Sequence, residues 1–333
     1  MNLQANFSLK NYNTFGINAT AKNFISVSSL YELKEVLKTD KDLFLLGGGS
    51  NMLLTENINK TVVHLNLEGV IVNNETEDTV EVTALAGENW HDFVLWCIDQ
   101  NYGGLENLSL IPGNVGTCPI QNIGAYGFEV KDTIITVEAL HKDTLEVKKF
   151  TNAECEFGYR NSIFKNNLKG EYIIVAVTFK LTKTNHKTNI SYGAIQAELN
   201  GNTNPSLKEI SNAVIAIRNS KLPNPKEIGN SGSFFKNPVV ANDIFFKVQK
   251  KYPNMPFYTV SETETKIPAG WLIETAGFKG KRFGETGVHN KQALVLVNHG
   301  NATGKEVYAL AQKIQAEIKN LFDIDLEIEV NII

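Results

Sequence analysis

The stretch GNSGSFFKNP, Gly229–Pro238, sets hydroxyl side chains in a backbone that can come close to a bound molecule. Gly229 lies two residues before Ser231 and Gly232 lies between Ser231 and Ser233, and a glycine permits unusual dihedral angles and close approach to a ligand. Phe234 and Phe235 are expected to anchor the segment in apolar packing. From this string alone two interpretations are open: a turn that enters a strand, or a hydroxyl held rigidly against a reactive group.

A glycine loop that could hold an anion follows the apolar run DLFLL. Successive glycines can turn consecutive N–H groups inward to form an anion-binding nest, and the serine and asparagine behind them add side-chain donors. The loop lacks the P-loop lysine, and its spacing misses G-x-G-x-x-G, so it fits neither fingerprint. Phosphate binding and a plain turn are both compatible with its residues, Gly47, Gly48, Gly49, Ser50 and Asn51.

A second loop, IPGNVGTCPIQNIGAYG at Ile111–Gly127, is rich in glycine and contains two prolines. Polar residues interrupt it at Thr117, Gln121 and Asn122. A loop this long and stiff is seldom a simple connector, and long ordered loops tend to be functional. Two glycine-rich loops on one mixed sheet favour a ligand with a pyrophosphate and a large planar group. Flavin adenine dinucleotide (FAD) fits that description.

Composition narrows the class of protein. With 333 residues, 42% hydrophobic and 20% charged, the chain resembles an ordinary soluble globular protein of two or three domains. A net charge of -4 and the lack of a long apolar run predict no nucleic-acid partner and no membrane association. The N-terminus has no secretory signal pattern, and three widely spaced cysteines (Cys97, Cys118, Cys155) indicate reduced thiols in the cytoplasm.

Strand and helix patterns alternate along the chain, which predicts an α+β protein. Capping boxes at Ser29 with Glu32 and at Ser206 with Glu209 open two helices, and WHDFVLWCIDQ has helical spacing. The run TIITVEALHKDTLEVKKF predicts a hairpin that turns near Lys142-Asp143. EYIIVAVTFKL predicts a long internal strand, and the polar segment after it predicts a loop, TKTNHKTNISYGAIQAELNGNTNPS.

A domain boundary is expected near Leu222-Pro223, where LPNP stops the preceding helix. Beyond it the patterns predict strand, helix, helix, strand and helix in the order GSFFKNPVV, ANDIFFKVQKKY, AGWLIETAG, QALVLVN and GKEVYALAQKIQAEIKNLF. The chain closes on DLEIEVNII, whose alternation predicts a strand.

Several motifs together resemble one enzyme family. They are NTFGI, LGGGSNMLL, ENLSLIPGNVGTCPIQNIGAYG, CEFGYRNSIFK, GNSGSFFKNP, PAGWLIETAGFKG and HNKQALVLVN. In this order, from about Tyr12 to Val330, the sequence is similar to the UDP-N-acetylenolpyruvoylglucosamine reductases of bacterial cell-wall synthesis. The segment NISYGAI resembles the longer subclass of that family, in which a tyrosine loop closes over the substrate.

The resemblance implies three domains, with non-covalent FAD in a fold of the p-cresol methylhydroxylase type and a C-terminal α/β substrate domain. Residues 1–70 with 323–333 would form the first flavin subdomain and 71–222 the second, the flavin-binding region covering about 16–183, and 223–322 the substrate domain. It also implies NADPH as hydride donor, an enolpyruvyl ether of UDP-N-acetylglucosamine as acceptor, UDP-N-acetylmuramate as product and a monomer.

The same resemblance implies a catalytic set of Ser233, Arg160 and Glu329. Ser233 would donate a proton to the substrate carbon beside the one that receives hydride. Arg160 would bind the substrate carboxylate in a bidentate way. Alternation in LEIEV puts Glu327 and Glu329 on one face and does not choose between them. The family motif favours Glu329, and burial beside an anionic intermediate would raise the pKa of its carboxyl.

Binding residues also follow from the motif match. The implied flavin contacts are Gly47, Gly48, Gly49, Ser50, Asn51, Thr117, Ile120, Gln121, Gly124, Ile174 and Arg218. The implied substrate contacts are Tyr192, Lys221, Asn237 and Gln292. Asn331 stands where some relatives carry a flavin-contacting arginine, so that contact is in doubt. No metal site is expected, because His64, His141 and His299 lack ligand spacing.

Two alternatives to this function are open. An oxidase that shares the flavin domain would reoxidise quickly in air and ignore the enolpyruvyl sugar. A sugar-nucleotide binding or regulatory protein without catalysis would be colourless when purified. The intact set of Ser233, Arg160 and Glu329 argues against the second alternative.

Overall fold

The helices begin at the capping residues that the sequence predicts. The structure is a computed structural model that describes residues 2–333. Ser29 Oγ accepts from the N–H of Glu32 at 3.2 Å, and Ser206 forms a reciprocal capping box with Glu209. Both predicted helix starts are confirmed. The helices are α1 (Leu30–Thr39), α2 (Trp90–Asp99), α3 (Gly193–Glu198), α4 (Leu207–Lys221), α5 (Asn242–Lys251), α6 (Ala269–Thr275) and α7 (Gly304–Phe322).

Most strands are short, and the longest is the apolar run that the sequence places inside a sheet. The strands are β1 (Gln4–Ser8), β2 (Thr20–Val27), β3 (Leu43–Leu46), β4 (Met52–Leu53), β5 (Ile58–Leu65), β6 (Val70–Glu75), β7 (Thr79–Leu85), β8 (Gly124–Ala125), β9 (Phe128–Glu129), β10 (Ile134–His141), β11 (Val147–Thr151), β12 (Tyr172–Thr182), β13 (Val239–Ala241), β14 (Tyr258–Thr259), β15 (Glu264–Lys266), β16 (Arg282–Phe283), β17 (Thr286–Val288), β18 (Leu296–Asn298) and β19 (Asn331–Ile332).

The chain divides into two compact units. The first contains the residues up to Phe7, Ala21–Gly48 and Ile58–Ser220. The second contains Ser8–Thr20, Gly49–Asn57 and Lys221–Ile333. The three-domain division expected from the sequence stays a prediction.

The first unit holds two larger sheets. One has the order β1-β2-β5-β3, and in it β2, β5 and β3 run parallel, with α1 between β2 and β3. The other is antiparallel with the order β11-β10-β12-β7-β6. Strands β10 and β11 form the predicted hairpin, and β12 lies between β10 and β7, which confirms that it is internal.

Strand β12 contributes to two apolar cores, which explains its continuous apolar run. Ile173 and Val175 join the core formed with α1 and the parallel strands. Val177 and Phe179 join the core formed with α2, where Trp90 is buried. Burial on both faces therefore fixes the central strand of the first unit.

The second unit is built around helices α5, α6 and α7 and small sheets. Strands β13-β15-β14 and β16-β17-β18 form two antiparallel sheets, and β19 pairs with β4 in parallel. Thr303 caps α7 in a capping box with Glu306. Phe234 and Phe235 are fully buried, so their predicted anchoring role is confirmed.

Three sequence predictions of regular structure were wrong in detail. The polar segment after β12 contains the short helix α3, whose six residues are too few for a clear periodic pattern. In GSFFKNPVV only β13 is a regular strand, because Ser233 and Phe235 make isolated bridges to different partners, Val295 and Ile328. In DLEIEVNII only β19 is regular.

Candidate functional site

The two glycine-rich loops predicted to bind the cofactor contact each other in the first unit. A Cβ atom on Gly47 would lie 3.2 Å from Thr117 Cγ2, and one on Gly48 would lie 2.6 Å from Asn114 Oδ1. A side chain at residue 48 would therefore displace the second loop. Glycine is required here because the two backbones approach so closely.

The first glycine loop continues into the second unit at Gly49. Gly49 has a φ of +60°, and a Cβ on it would lie 2.0 Å from the carbonyl oxygen of Tyr12. The side chain of Asn331 donates to the carbonyl oxygen of Asn51 at 2.8 Å, and its N–H donates to the same oxygen at 3.2 Å. Asn331 thus supports the backbone of the glycine loop.

The structure distinguishes the two serines of the opening motif. Ser231 is buried, and its Oγ lies 3.3 Å from Met52 O and 3.4 Å from Thr14 Oγ1. Ser233 is exposed on the described chain. An exposed hydroxyl on a fixed backbone is the one that can meet a ligand, which is compatible with the choice of Ser233.

Glu329 lies on the segment that pairs with the serine segment. Its N–H donates to Phe234 O at 2.9 Å, and Lys236 N donates to Glu327 O at 2.9 Å. The side chain of Glu327 is exposed and forms an ion pair with Lys236, whereas Glu329 is half-buried. Glu329 is therefore the more buried of the two glutamates, and it is the one that the motif match favours.

Two of the predicted substrate residues lie beside the start of α6. Asn237 Oδ1 accepts from the N–H of Ala269 at 2.9 Å. Gln292 Oε1 lies 3.1 Å from the position of a Cβ on Gly270 and accepts from Leu294 N at 3.3 Å. The structure thus places Asn237 and Gln292 beside consecutive residues of α6, while Lys221 is exposed at the last residue of α4.

Arg160 is held by the second glycine loop in the first unit. Its Nη2 donates to Gly124 O at 2.6 Å, and its Nη1 donates to Asn122 O at 3.4 Å. A Cβ on Gly124 would lie 3.1 Å from Nη1, so glycine makes room for the guanidinium. The second glycine loop therefore holds the guanidinium of the candidate carboxylate-binding arginine in place.

Arg218 is fixed by contacts to the backbone and to a tyrosine. Its Nε donates to Leu110 O at 3.2 Å, and its guanidinium interacts electrostatically with the hydroxyl of Tyr126. Burial lowers the pKa of Arg218 and raises the pKa of Tyr126. The ring of Tyr126 lies edge-to-face with that of Tyr192, with centroids 5.3 Å apart. Tyr126 therefore connects a candidate flavin residue with a candidate substrate residue.

The remaining predicted flavin residues of the first unit have varied environments. Ile120 is exposed, and its carbonyl oxygen accepts from Ser162 Oγ at 2.6 Å. Gln121 is half-buried in the same loop. Ile174 is buried on β12, opposite Ala139 of β10.

Left-handed backbone conformations cluster around these loops. Leu110, Asn122, Tyr126 and Arg160 have φ angles of 60°, 45°, 51° and 52°. This conformation is uncommon for residues other than glycine, and such strained residues concentrate at functional sites. Arg160 and Arg218 contact these strained residues through the hydrogen bonds described above.

Comparison with known proteins identifies the family. Residues 23–147 match the FAD binding domain, and residues 224–333 match the C-terminal domain of UDP-N-acetylenolpyruvoylglucosamine reductase. A UDP-N-acetylenolpyruvoylglucosamine reductase from Flavobacterium johnsoniae is 61% identical over 337 residues that cover 100% of both chains. The chain belongs to the UDP-N-acetylenolpyruvoylglucosamine reductase family. Another member, from Pseudomonas putida, is 46% identical over 99% of this chain and 98% of its own.

A solved reductase structure shares the fold of this reductase family member. The crystal structure of UDP-N-acetylenolpyruvylglucosamine reductase from Thermus caldophilus aligns with a TM-score of 0.67 at 23% identity, over 99% of this chain and 98% of that one. The predicted fold class, mixed α and β with an FAD-binding domain and a C-terminal reductase domain, is confirmed. The match of residues 23–147 also confirms the predicted FAD cofactor.

Sequence reasoning missed three residues of this reductase that support the site. Tyr126 lies between glycines in the second loop, and that position was a usable signal. His91 accepts from the N–H of Leu110 through Nδ1 at 2.9 Å, which no local pattern indicates. Thr14 lies in the motif NTFGI, which was noted only as part of the resemblance.

Proposed function

We propose that this chain reduces the enolpyruvyl ether of UDP-N-acetylglucosamine to UDP-N-acetylmuramate, with NADPH as the electron donor and FAD as the cofactor. This is the step of peptidoglycan precursor synthesis that turns the enolpyruvyl group into a D-lactyl ether. The full-length match at 61% identity to a protein named for this activity carries the proposal.

The residues present fit a flavin dinucleotide. The two glycine-rich loops meet where a Cβ on Gly48 would lie 2.6 Å from Asn114 Oδ1, and glycines in such a loop allow the backbone N–H groups to approach an anion. Gly47, Ser50, Asn51 and Thr117 would hold the pyrophosphate and flavin, and Arg218 would neutralise charge. When bound, FAD supplies the hydride carrier between NADPH and the sugar nucleotide.

Ser233 supplies the proton in this proposal. Hydride addition at the methylene carbon leaves negative charge on the neighbouring carbon and on the carboxylate. The hydroxyl of Ser233 gives its proton to that carbon, and a serine is acidic enough for so basic an acceptor. Its exposure on a segment held by backbone hydrogen bonds supports this role.

Arg160 and Glu329 act on the charge that develops. The planar guanidinium of Arg160 binds the substrate carboxylate with two parallel hydrogen bonds, and donors arranged in advance are usually the largest electrostatic contribution to catalysis. The carboxyl of Glu329, in its protonated form, donates to the same anionic group. Its half-buried position on the segment that pairs with the serine segment supports this role.

The nucleotide part of the substrate is held by Tyr192, Lys221, Asn237 and Gln292. Tyr192 lies just before α3 and is 45% exposed, so its hydroxyl is accessible to a ligand. We assign the chain to the longer subclass, in which this loop closes over the substrate. Substrate and NADPH use the same site in turn, which gives ping-pong kinetics.

We further propose that the enzyme is a monomer in the cytoplasm. The three cysteines are free and buried, as expected in a reducing compartment. Among the residues that the structure describes, no helix is both long and apolar enough to cross a membrane.

An anaerobic titration of the purified protein tests the proposed function. The protein should show a flavin absorbance spectrum, lose its colour on NADPH addition and regain it when the enolpyruvyl sugar nucleotide is added. Rapid reoxidation by air without a response to the sugar nucleotide would indicate an oxidase. A colourless protein that no added FAD restores would contradict the flavin assignment.

A further inference from the structure

The motif NTFGI, Asn13–Ile17, has no part in the chemistry above, yet the overlapping residues Tyr12–Gly16 contact two segments that carry candidate site residues. We call Tyr12–Gly16 the clamp segment. One contacted segment is Gly49–Asn51 of the glycine loop, and the other is Gly229–Ser233. All three segments belong to the second unit.

The clamp segment fixes the glycine loop through its backbone. The N–H of Thr14 donates to Gly49 O at 3.0 Å. A Cβ on Gly49 would lie 2.0 Å from Tyr12 O, far inside van der Waals contact. The clamp segment and the glycine loop are therefore as close as their backbones permit.

The clamp segment fixes the serine segment in the same way. The carbonyl oxygen of Thr14 accepts from Asn230 N at 3.0 Å, so one residue bridges both segments. A Cβ on Gly229 would lie 2.1 Å from Phe15 O. Asn298 bonds both segments, because its Nδ2 donates to Phe15 O and its N–H donates to Gly229 O, both at 2.8 Å.

Hydroxyl groups fill the space between the segments. Thr14 Oγ1 lies 3.4 Å from the carbonyl oxygens of Gly49 and Ser50 and 3.4 Å from Ser231 Oγ. These separations are long for hydroxyl hydrogen bonds, so each contact is weak. The backbone hydrogen bonds of Thr14 therefore set the register, and the three hydroxyl contacts, which together are equivalent to about one net hydrogen bond, keep it in place.

We propose that Thr14 is a positioning residue that sets the location of Ser233 relative to the glycine loop Gly49–Asn51. The inference rests on the proposed function, because it assigns Ser233 the proton transfer. Thr14 itself touches neither substrate nor cofactor in this account. Its effect follows from geometry, since a displacement of about 1 Å in a reacting group can cost about 10²-fold in rate.

Gly229→Ala tests the inference by forcing the clamp segment and the serine segment apart. Gly229 is not among the residues with a left-handed φ, so alanine adds displacement without backbone strain. The clash of 2.1 Å requires a shift near 1 Å, and reoxidation of the reduced enzyme by the sugar nucleotide should slow about 10²-fold. Reduction by NADPH and the flavin spectrum should stay unchanged.

Gly103→Ala is the matched control. Gly103 is buried in the first unit, also outside the left-handed region, and a Cβ there would lie 2.5 Å from His186 Nδ1. This variant introduces a clash at a position whose neighbours include no residue of the clamp segment or of the segments that it contacts. Its reoxidation rate should equal that of the wild type.

Thr14→Val and Thr14→Ser test the hydroxyl contacts and decide the question if Gly229→Ala does not fold. Valine keeps the shape and removes the hydroxyl, so reoxidation should slow by roughly 2- to 10-fold, equivalent to one net hydrogen bond. Serine keeps the hydroxyl and should restore the wild-type rate. Both variants should be reduced by NADPH at the wild-type rate.

The outcomes separate this inference from the proposed function. A wild type that the sugar nucleotide does not reoxidise overturns both. A wild type that turns over, with Thr14→Val or a folded Gly229→Ala reoxidising at the wild-type rate, overturns only the positioning role. Equal slowing of both half-reactions in these variants also overturns it, because that pattern indicates a general structural defect.

Discussion

The N–H of Glu329 donates a hydrogen bond to the carbonyl oxygen of Phe234 at 2.9 Å. Phe234 follows Ser233, so two of the three candidate catalytic residues lie on directly bonded segments of the second unit. The bridge between Phe235 and Ile328 fixes the same register one residue further along. The serine and the glutamate, almost a hundred positions apart in the sequence, are therefore held together by backbone contacts.

Glu329→Ala and Glu327→Ala should differ sharply in activity. Alanine keeps the backbone hydrogen bond of Glu329 but removes the carboxyl that donates to the anionic group, so kcat/KM for the enolpyruvyl sugar nucleotide should fall about 10²-fold or more. Glu327 is exposed and paired with Lys236, and its replacement should have little effect. Steady-state kinetics check this, and loss of activity in Glu327→Ala alone would reverse the assignment.

Arg160→Lys should lower kcat/KM although it keeps the positive charge. Lysine cannot form the two-pronged contact with a carboxylate, and the loss of one charge-assisted hydrogen bond corresponds to about 1.5–3 kcal/mol, or roughly 10- to 10²-fold in rate. Arginine and lysine need the same left-handed backbone at this position, where φ is 52°, so the backbone strain is unchanged. The variant removes the guanidinium together with its hydrogen bonds to Gly124 O and Asn122 O.

Arg282→Lys serves as the control for that measurement. Arg282 is an exposed arginine paired with Glu285 at 3.0 Å, and its replacement should leave the kinetics unchanged. Equal kcat/KM for Arg160→Lys and the wild type would mean that residue 160 does not bind the carboxylate.

Local sequence patterns predicted those elements whose structure depends on nearby residues. Ser206 and Glu209 cap each other across three positions, and the apolar run of β12 marks its burial on both faces. The left-handed conformation of Leu110 could not be predicted in this way. His91 holds its N–H and Arg218 holds its carbonyl oxygen, and both partners are distant in sequence.

In the candidate site, too, local patterns were predictable and contacts between residues distant in sequence were not. Glycine spacing was enough to propose two cofactor loops, and the close packing at Gly48 and Asn114 shows that they touch. Alternation did not separate Glu327 from Glu329, because the two carboxyls differ only in tertiary contacts: Glu327 is exposed and paired with Lys236, and Glu329 is half-buried. The bridging contacts of Thr14 likewise exist only in the folded chain.

Acid should destabilise the protein in part through His91. Its Nδ1 accepts from Leu110 N–H, which requires neutral imidazole. Burial is the main cause that lowers the pKa of His91 below 6.5; Asp92 opposes the shift and Arg218 adds to it. The stabilising contribution is therefore complete above about pH 6.5 and is lost as the pH falls through the lower pKa of the folded state.

Urea unfolding at a series of pH values checks this contribution. His91→Gln should flatten the decline in the free energy of unfolding below about pH 6.5. The decline should not vanish, because burial also lowers the pKa of His64, His289 and His299. Parallel curves for the variant and the wild type would exclude a contribution from His91.

Phe179→Ala should strongly destabilise the first unit. Phe179 is fully buried, with its ring centroid 5.2 Å from that of Phe93 and 6.1 Å from that of Trp90. Removal of such a ring typically costs about 3–5 kcal/mol. Tyr31→Ala is the control, since Tyr31 is 72% exposed and its loss should change stability by less than about 0.5 kcal/mol. Chemical denaturation measures both, and equal stability of the two variants would contradict this description of the core.

The central claim is that Ser233 donates the proton, and stopped-flow absorbance of the two half-reactions tests it most directly. In Ser233→Ala, reduction by NADPH should proceed at the wild-type rate, and reoxidation by the sugar nucleotide should slow by about 10²- to 10⁴-fold. Ser261→Ala, which removes an exposed hydroxyl elsewhere in the second unit, should leave both rates unchanged. Reoxidation of Ser233→Ala at the wild-type rate would contradict the claim.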